Sequence, residues 1–138
     1  MDRDAVAERH VVTGDRMLRL LIGGRLVVGG GALFAPRLVG RVFGIEPEEN
    51  PAVPYVGRLF GVRAVFMALS LAASTGAERE RQLRGGVAVD LIDALAAIMA
   101  RRTGGLDARA GTAAFLAAVT EASLGARLLN AGRARLPR

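Results

Sequence analysis

A chain of 138 residues, 51% hydrophobic and carrying 18 Gly, has room for one domain. It holds no Cys, no Trp and a single His (His10), which excludes disulfide scaffolds, Cys-ligated zinc, iron–sulfur clusters, thiol catalysis and His-pair metal sites, and leaves base-stacking nucleic-acid modules without platforms. Its 19 basic residues are all Arg and outnumber 13 acids, for a net charge of +6; they gather near the ends of apolar stretches, not in one block or helical stripe, so nucleic acid is not the partner they point to.

The first sixteen residues mix Asp2, Asp4, Glu8 and Asp15 with Arg3, Arg9 and Arg16. That reads as a polar lead-in or a short surface helix. The order of a secretory signal, a basic start followed by a short apolar run and a small-residue cleavage site, is missing.

Four apolar stretches follow, at about 17–35, 53–73, 85–100 and 111–129. Pro36, the Glu46–Pro47–Glu48–Glu49–Asn50–Pro51 segment, Gly76 and Gly104–Gly105 mark the connections. No alternation of period two persists, so all four are predicted as helices. Water or lipid is the next decision. Ionisable residues in every stretch speak for a soluble helical assembly. Against it, the polar face of a surface helix is missing. Val62 to Ala73 holds one Arg and one Ser, and Ala113 to Val119 holds nothing polar. Gly23–Gly24 and Gly29–Gly30–Gly31 would each cost a water-exposed helix about 1 kcal/mol per Gly relative to Ala, whereas small residues in membranes let helices approach closely. The fold class expected is therefore all-α, a four-helix transmembrane bundle in one domain.

Four spans put both termini on one side of the membrane. That side collects Arg3, Arg9, Arg16, Arg79, Arg81, Arg84, Arg133, Arg135 and Arg138, against Arg37, Arg41, Arg101, Arg102 and Arg109 on the other. The excess places both termini in the cytoplasm, in a multi-pass protein of the cell membrane. In the long first connection Arg37 and Arg41 are four apart and share a face, while Leu38, Val39, Val42 and Phe43 cover the rest. This suits a short interfacial helix with snorkelling arginines, or an amphipathic turn capping the helices. Glu46, Glu48 and Glu49, flanked by Pro, read as a solvated loop; no metal and no cofactor is expected.

Charges inside the spans carry the functional question. Arg25 lies nine residues from Arg16, Arg63 nine from Pro54, Asp93 nine from Arg84 and Glu121 ten from Gly111. At about 1.5 Å per residue all four come near the middle of a core about 30 Å thick. A central Asp or Arg costs about 2.5–3.5 kcal/mol on the insertion scale, and each Leu, Ile or Val returns only about 0.3–0.6. The third span, with Asp90 and Asp93, needs guanidinium donors from its neighbours, and Arg63 is the best-placed one. The expectation is one interior cluster of Arg25, Arg63, Asp93 and Glu121, with Asp90 a turn nearer the cytoplasmic side. Arg58, nearer the outer surface, would offset the extra acid. Arg25, Arg58 and Arg63 are thus the candidate binding residues, and Asp90, Asp93 and Glu121 the candidates for any proton chemistry. Gly57 and Gly61 form a GxxxG spacing that marks a close helix contact, and Gly40 and Gly44 repeat it.

Arg58-Leu59-Phe60-Gly61-Val62-Arg63, followed by an apolar helix and then Asp90-Leu91-Ile92-Asp93-Ala94, resembles the small four-helix membrane proteins grouped as DoxX-like or as uncharacterised integral membrane domains. The likeness covers about the central half of the chain. It implies architecture and accessory-subunit roles, and no catalytic residue is carried over from it. The sequence thus points to an arginine-rich membrane protein acting as an accessory or interaction subunit. Its partners are the lipid bilayer, a membrane-protein partner or a second copy of itself, and a lipophilic small molecule. Two other readings stay open: a membrane-embedded acid–base enzyme (an isomerase or cyclase) on a lipophilic substrate, and a soluble helical binding module.

Overall fold

The computed structural model describes residues 3–46, 48 and 50–133, with side chains described from 13 to 132. Five helices make up the fold: α1 (Arg3–Phe34), α2 (Pro36–Val42), α3 (Val53–Ala73), α4 (Gly76–Arg102) and α5 (Ala108–Arg133). No strand occurs among the described residues. The short helix expected in the first connection is α2, and α3 has the bounds of the second apolar stretch. The other three run past their apolar stretches. The polar lead-in is no separate element: from Arg3 onward it is the first part of α1. Likewise Gly76 opens α4, and Arg79 to Arg84 are helical. Their charges suit a helix because they pair along it, Arg81 with Glu78 and Arg84 with Glu80, at the three- and four-residue spacings where helical side chains meet. The Arg81 guanidinium and then the Gln82 amide hold the Glu78 carboxyl below its ordinary range. Arg41 of α2 does the same for Glu48, which forms an ion pair with it; Glu49 and residues 134–138, with Arg135 and Arg138, lie outside the described residues.

Chain ends of the helices are closed by local hydrogen bonds. Pro36 starts α2, its missing N–H being no loss there. Gly44 ends that helix at φ +83°, a left-handed turn in which the Ile45 N–H donates to Gly40 O at 2.9 Å. At the end of α3 the backbone becomes extended at Ser74. Arg79 then donates from Nε and Nη2 to the Ser74 carbonyl, at 3.0 and 2.7 Å, closing the two-residue turn into α4. Gly104, at φ +76°, ends α4, and the Asp107 carboxylate accepts the Ala110 N–H at 2.6 Å at the start of α5.

The helices pack in a ring. α1 lies along α3 and α4 along α5, α1 also touches α5, and α3 and α4 meet only lightly, so that α1 and α4 face each other across the ring. Directions alternate around it. Leu21 near the start of the apolar part of α1, Leu71 at the end of α3 and Leu83 at the start of α4 form one apolar cluster, joined by Leu124, Leu128 and Leu129 of α5.

Small residues fill the interior. Ala32, Ala64, Ala68, Ala94, Ala97, Ala110 and Ala122 are buried, and among the described residues only Leu21 and Leu71 are large and fully so. Large apolar residues point outward instead: Val27 is 75% exposed, Phe66 69%, Phe34 84% and Ile92 65%. In water this arrangement would leave an apolar patch far larger than soluble monomers tolerate. Among hydrocarbon tails, where burying Leu gains nothing, close backbone approach is what favours association. Among the described residues three helices are long and apolar enough to cross a membrane, at Thr13–Phe34, Val53–Ala73 and Ala108–Gly132. α4 differs only in charge: even its most apolar 18-residue stretch, 83–100, contains Arg84, Asp90 and Asp93.

At the α1–α3 crossing the GxxxG glycines meet α1 within the fold. A Cβ at Gly61 would stand 2.6 Å from Gly29 O and from the Leu33 N, and one at Gly57 would be 3.0 Å from the Pro36 Cβ. The Gly61 contacts are with backbone, which cannot yield, whereas Gly57 meets the ring of Pro36. Gly61→Val should therefore destabilise the fold by about 1–3 kcal/mol or more, the range for overpacking. Gly30→Ala, where a Cβ meets nothing within 4 Å, should be neutral or stabilising by up to about 1 kcal/mol. Denaturation by increasing SDS in mixed micelles, followed by circular dichroism, measures both.

Candidate functional site

Arg25 is 3% exposed, in the C-terminal half of α1, and its guanidinium reaches carboxylates on both α4 and α5. Nη2 donates to the Asp90 carboxylate of α4 at 2.6 Å, and Nε donates to the Glu121 carboxylate of α5 at 3.0 Å. This side chain links α1 to α4 although their backbones make no direct contact. Gly86, one turn before Asp90 on the same helix face, makes the space. A Cβ there would lie 3.0 Å from Nη1 and 3.1 Å from Nη2 of Arg25. No buried side-chain nitrogen or oxygen among the described residues lacks a hydrogen-bond partner.

Arg63 and Asp93 form a second, separate pair. Arg63 Nη2 donates to Asp93 at 2.5 Å, the guanidinium lies 5.4 Å from the centre of the Phe60 ring, and both side chains are part-exposed on the α3–α4 seam. The single interior cluster expected from the sequence is thus corrected. Arg63 does bind an acid of the third apolar stretch, but Asp90, not Asp93, is the interior carboxylate, because Asp93 falls one residue off the buried row Leu83, Gly86, Asp90, Ala94, Ala97. Arg58 is exposed and makes no ion pair with a described residue.

Exposed arginines bracket the triad along the helices. Arg25, Asp90 and Glu121 each lie six residues from an exposed arginine: Arg19, Arg84 and Arg127. At about 1.5 Å per residue the triad sits about 9 Å from that arginine level. Twelve, eleven and twelve residues separate it from Arg37, Arg101 and Arg109 at the other end, or about 17 Å. The site is off-centre in an apolar band about 26 Å deep, close to a hydrocarbon core's thickness.

Glu121 is the least enclosed of the three, with a side chain 29% exposed. It stands on the wall of a groove of about 320 Å³ between α1 and α5, with Leu20, Gly24, Leu116, Thr120 and Leu124 around it. A larger groove, about 580 Å³, lies between α4 and α5 at the far end, beside Arg101, Arg102 and Phe115. It does not reach the triad. Two carboxylates share the one guanidinium, and of the two Glu121 is the one that borders the groove. Sequence reasoning singled out all three triad residues but missed Gly86; its signal was a Gly four residues before an Asp inside an apolar stretch.

No protein-family model, no curated protein and no solved structure matches the chain.

Removing Arg25 should strand Asp90 in an apolar interior. Arg25→Leu should cost about 3–5 kcal/mol, the range for breaking a buried pair, and Arg25→Leu with Asp90→Leu should recover part of it. Gly86→Ala should cost about 1–3 kcal/mol by pressing on the guanidinium. Arg63→Ala, on the part-exposed pair, should cost less than Arg25→Leu. Equal losses in the Arg25 and Arg63 variants, read from SDS unfolding in mixed micelles, would refute this ranking.

Proposed function

We propose that this chain is a multi-pass protein of the cell membrane, a four-helix transmembrane bundle in which α1, α3, α4 and α5 cross and α2 lies in the interface. Both termini are cytoplasmic, and the protein serves as a non-enzymatic accessory or interaction subunit for a membrane-protein partner or a second copy. The observation that carries this reading is the union of an outward-facing apolar surface with an interior triad whose charges are all partnered. Such a triad lets α4 stay among apolar neighbours in spite of Asp90. Its role is to fix helix register. The likeness to DoxX-like proteins supports the same architecture and adds no activity.

One observation favours a second reading, an acid–base enzyme acting on a lipophilic substrate. Glu121 borders a groove open to the surface, where a carboxylate can give or take a proton at a bound molecule.

Extraction separates the membrane reading from a soluble binding module: the protein should stay with membranes through alkaline carbonate and leave only with detergent. Release by carbonate alone would reject it. The absence of native Cys makes topology directly readable. A cysteine replacing Gly105 should react with a membrane-impermeant maleimide in intact cells, and one replacing Thr75 should react only after the cells are opened. The reverse pattern would invert the orientation.

A further inference from the structure

We propose that the α1–α5 groove is a binding site for a lipophilic monocation, an alkylammonium whose charge pairs with Glu121 and whose tail lies along the groove. The argument begins with charge. Arg25 neutralises one of its two carboxylates, and no second cation is within the cluster: Arg63 is engaged by Asp93, while Arg19 and Arg127 are six residues away on their helices. Arg19 itself donates to Asp15 O at 3.4 Å. Asp90 is enclosed, at 4% exposure, so the carboxylate of the triad that a ligand can reach is that of Glu121, whose side chain is 29% exposed.

The groove wall beside Glu121 offers no competing donor. Thr120 is its only other polar residue, and the Thr120 hydroxyl donates to Leu116 O at 2.7 Å. What remains is a single carboxylate in a trough of Leu and Gly. The trough runs two helical turns along α5, from Leu116 to Leu124, about 12 Å. An anion would be repelled, and a neutral amphiphile would leave Glu121 to share the Arg25 guanidinium with Asp90 in a weakly screening environment. An ammonium with a hydrocarbon tail satisfies both parts. The source is a free amphiphilic amine and not a phospholipid headgroup, because headgroup ammonium groups sit at or beyond the arginine level, about 9 Å from Glu121.

The test is calorimetric titration of the full chain in phosphatidylcholine nanodiscs with octylamine, octanol and octanoate, with empty nanodiscs subtracted. Octylamine should bind saturably, and octanol and octanoate should not. Glu121→Gln, which keeps an oxygen to accept from Arg25, should weaken octylamine by at least about tenfold, equivalent to about 1.4 kcal/mol. Gly24→Leu puts a side chain into the groove from a backbone position with room for it, since a Cβ there meets nothing within 4 Å. It should abolish binding while leaving thermal unfolding unchanged or raised. Octanol binding as tightly as octylamine, an undiminished Glu121→Gln, or no saturable binding by a folded wild type would each overturn the proposal. Competition by added phosphatidylethanolamine would overturn the choice of a free amine. The proposal leans on the membrane reading only for where the groove faces. Carbonate release would defeat that reading alone, and the same titration on the released protein would still decide the groove.

Discussion

A guanidinium group placed among apolar helices has to find carboxylates, and the remaining structure is arranged around that requirement. Arg25 cannot lose its proton, so its charge is fixed. Asp90 and Glu121 reach it from two different helices, and neither helix could move along its axis by a turn without parting from it. The cluster therefore does for register what interdigitated Leu and Phe do in a soluble core. That division explains why so few large side chains are inside. Apolar packing in a hydrocarbon solvent distinguishes one register from another weakly, whereas a mispaired buried ion is expensive.

Small residues are the other half of the same design. Gly29 and Gly61 let α1 and α3 come into backbone contact, and Gly125 faces Val87 across α4 and α5, where a Cβ would stand 2.7 Å from a Val87 methyl. Gly86 serves a different end, since what it accommodates is the planar head of Arg25. Close approach brings the helices near enough for one side chain to bridge the ring, and the bridge then holds them. The lightly packed side, between α3 and α4, is where the protein carries its part-exposed ion pair, Arg63 with Asp93.

Helix content and the extent of α3 were legible because Pro51, Pro54 and Ser74 punctuate the chain where the apolar run also changes. The ends of α1 and α4 were not. Hydropathy falls at Arg16 and at Arg79 to Arg84, yet both helices continue there; at the start of α4 the pairs Arg81–Glu78 and Arg84–Glu80 accompany the continuation, and hydropathy does not register pairing. In the site, counting residues from the ends of spans gave the right set of charges and the wrong grouping. Rotational position decides the grouping. Arg25 stands in the row Leu21, Gly29, Ala32, and Asp90 in the row Gly86, Ala94, Ala97, while Arg63 lies outside the row Gly61, Ala64, Ala68, Leu71. Charges on a stripe of small residues face inward, and charges off it face the seam. That distinction is present in the sequence, but only in helical phase, not in depth.

Arg25 and Asp90 are 65 residues apart, and Glu121 is 96 from Arg25. On a ribosome adding about 5–20 residues per second, α1 would wait roughly 3 to 13 seconds for its first counter-charge. During that interval the guanidinium has only water and lipid phosphate to turn to, about 9 Å away at the level of Arg19, a distance a snorkelling arginine spans in part. Both counter-charges of Arg25 therefore come from the last two helices to be made. They do more than complete the ring: they supply the charges that α1 lacks until then.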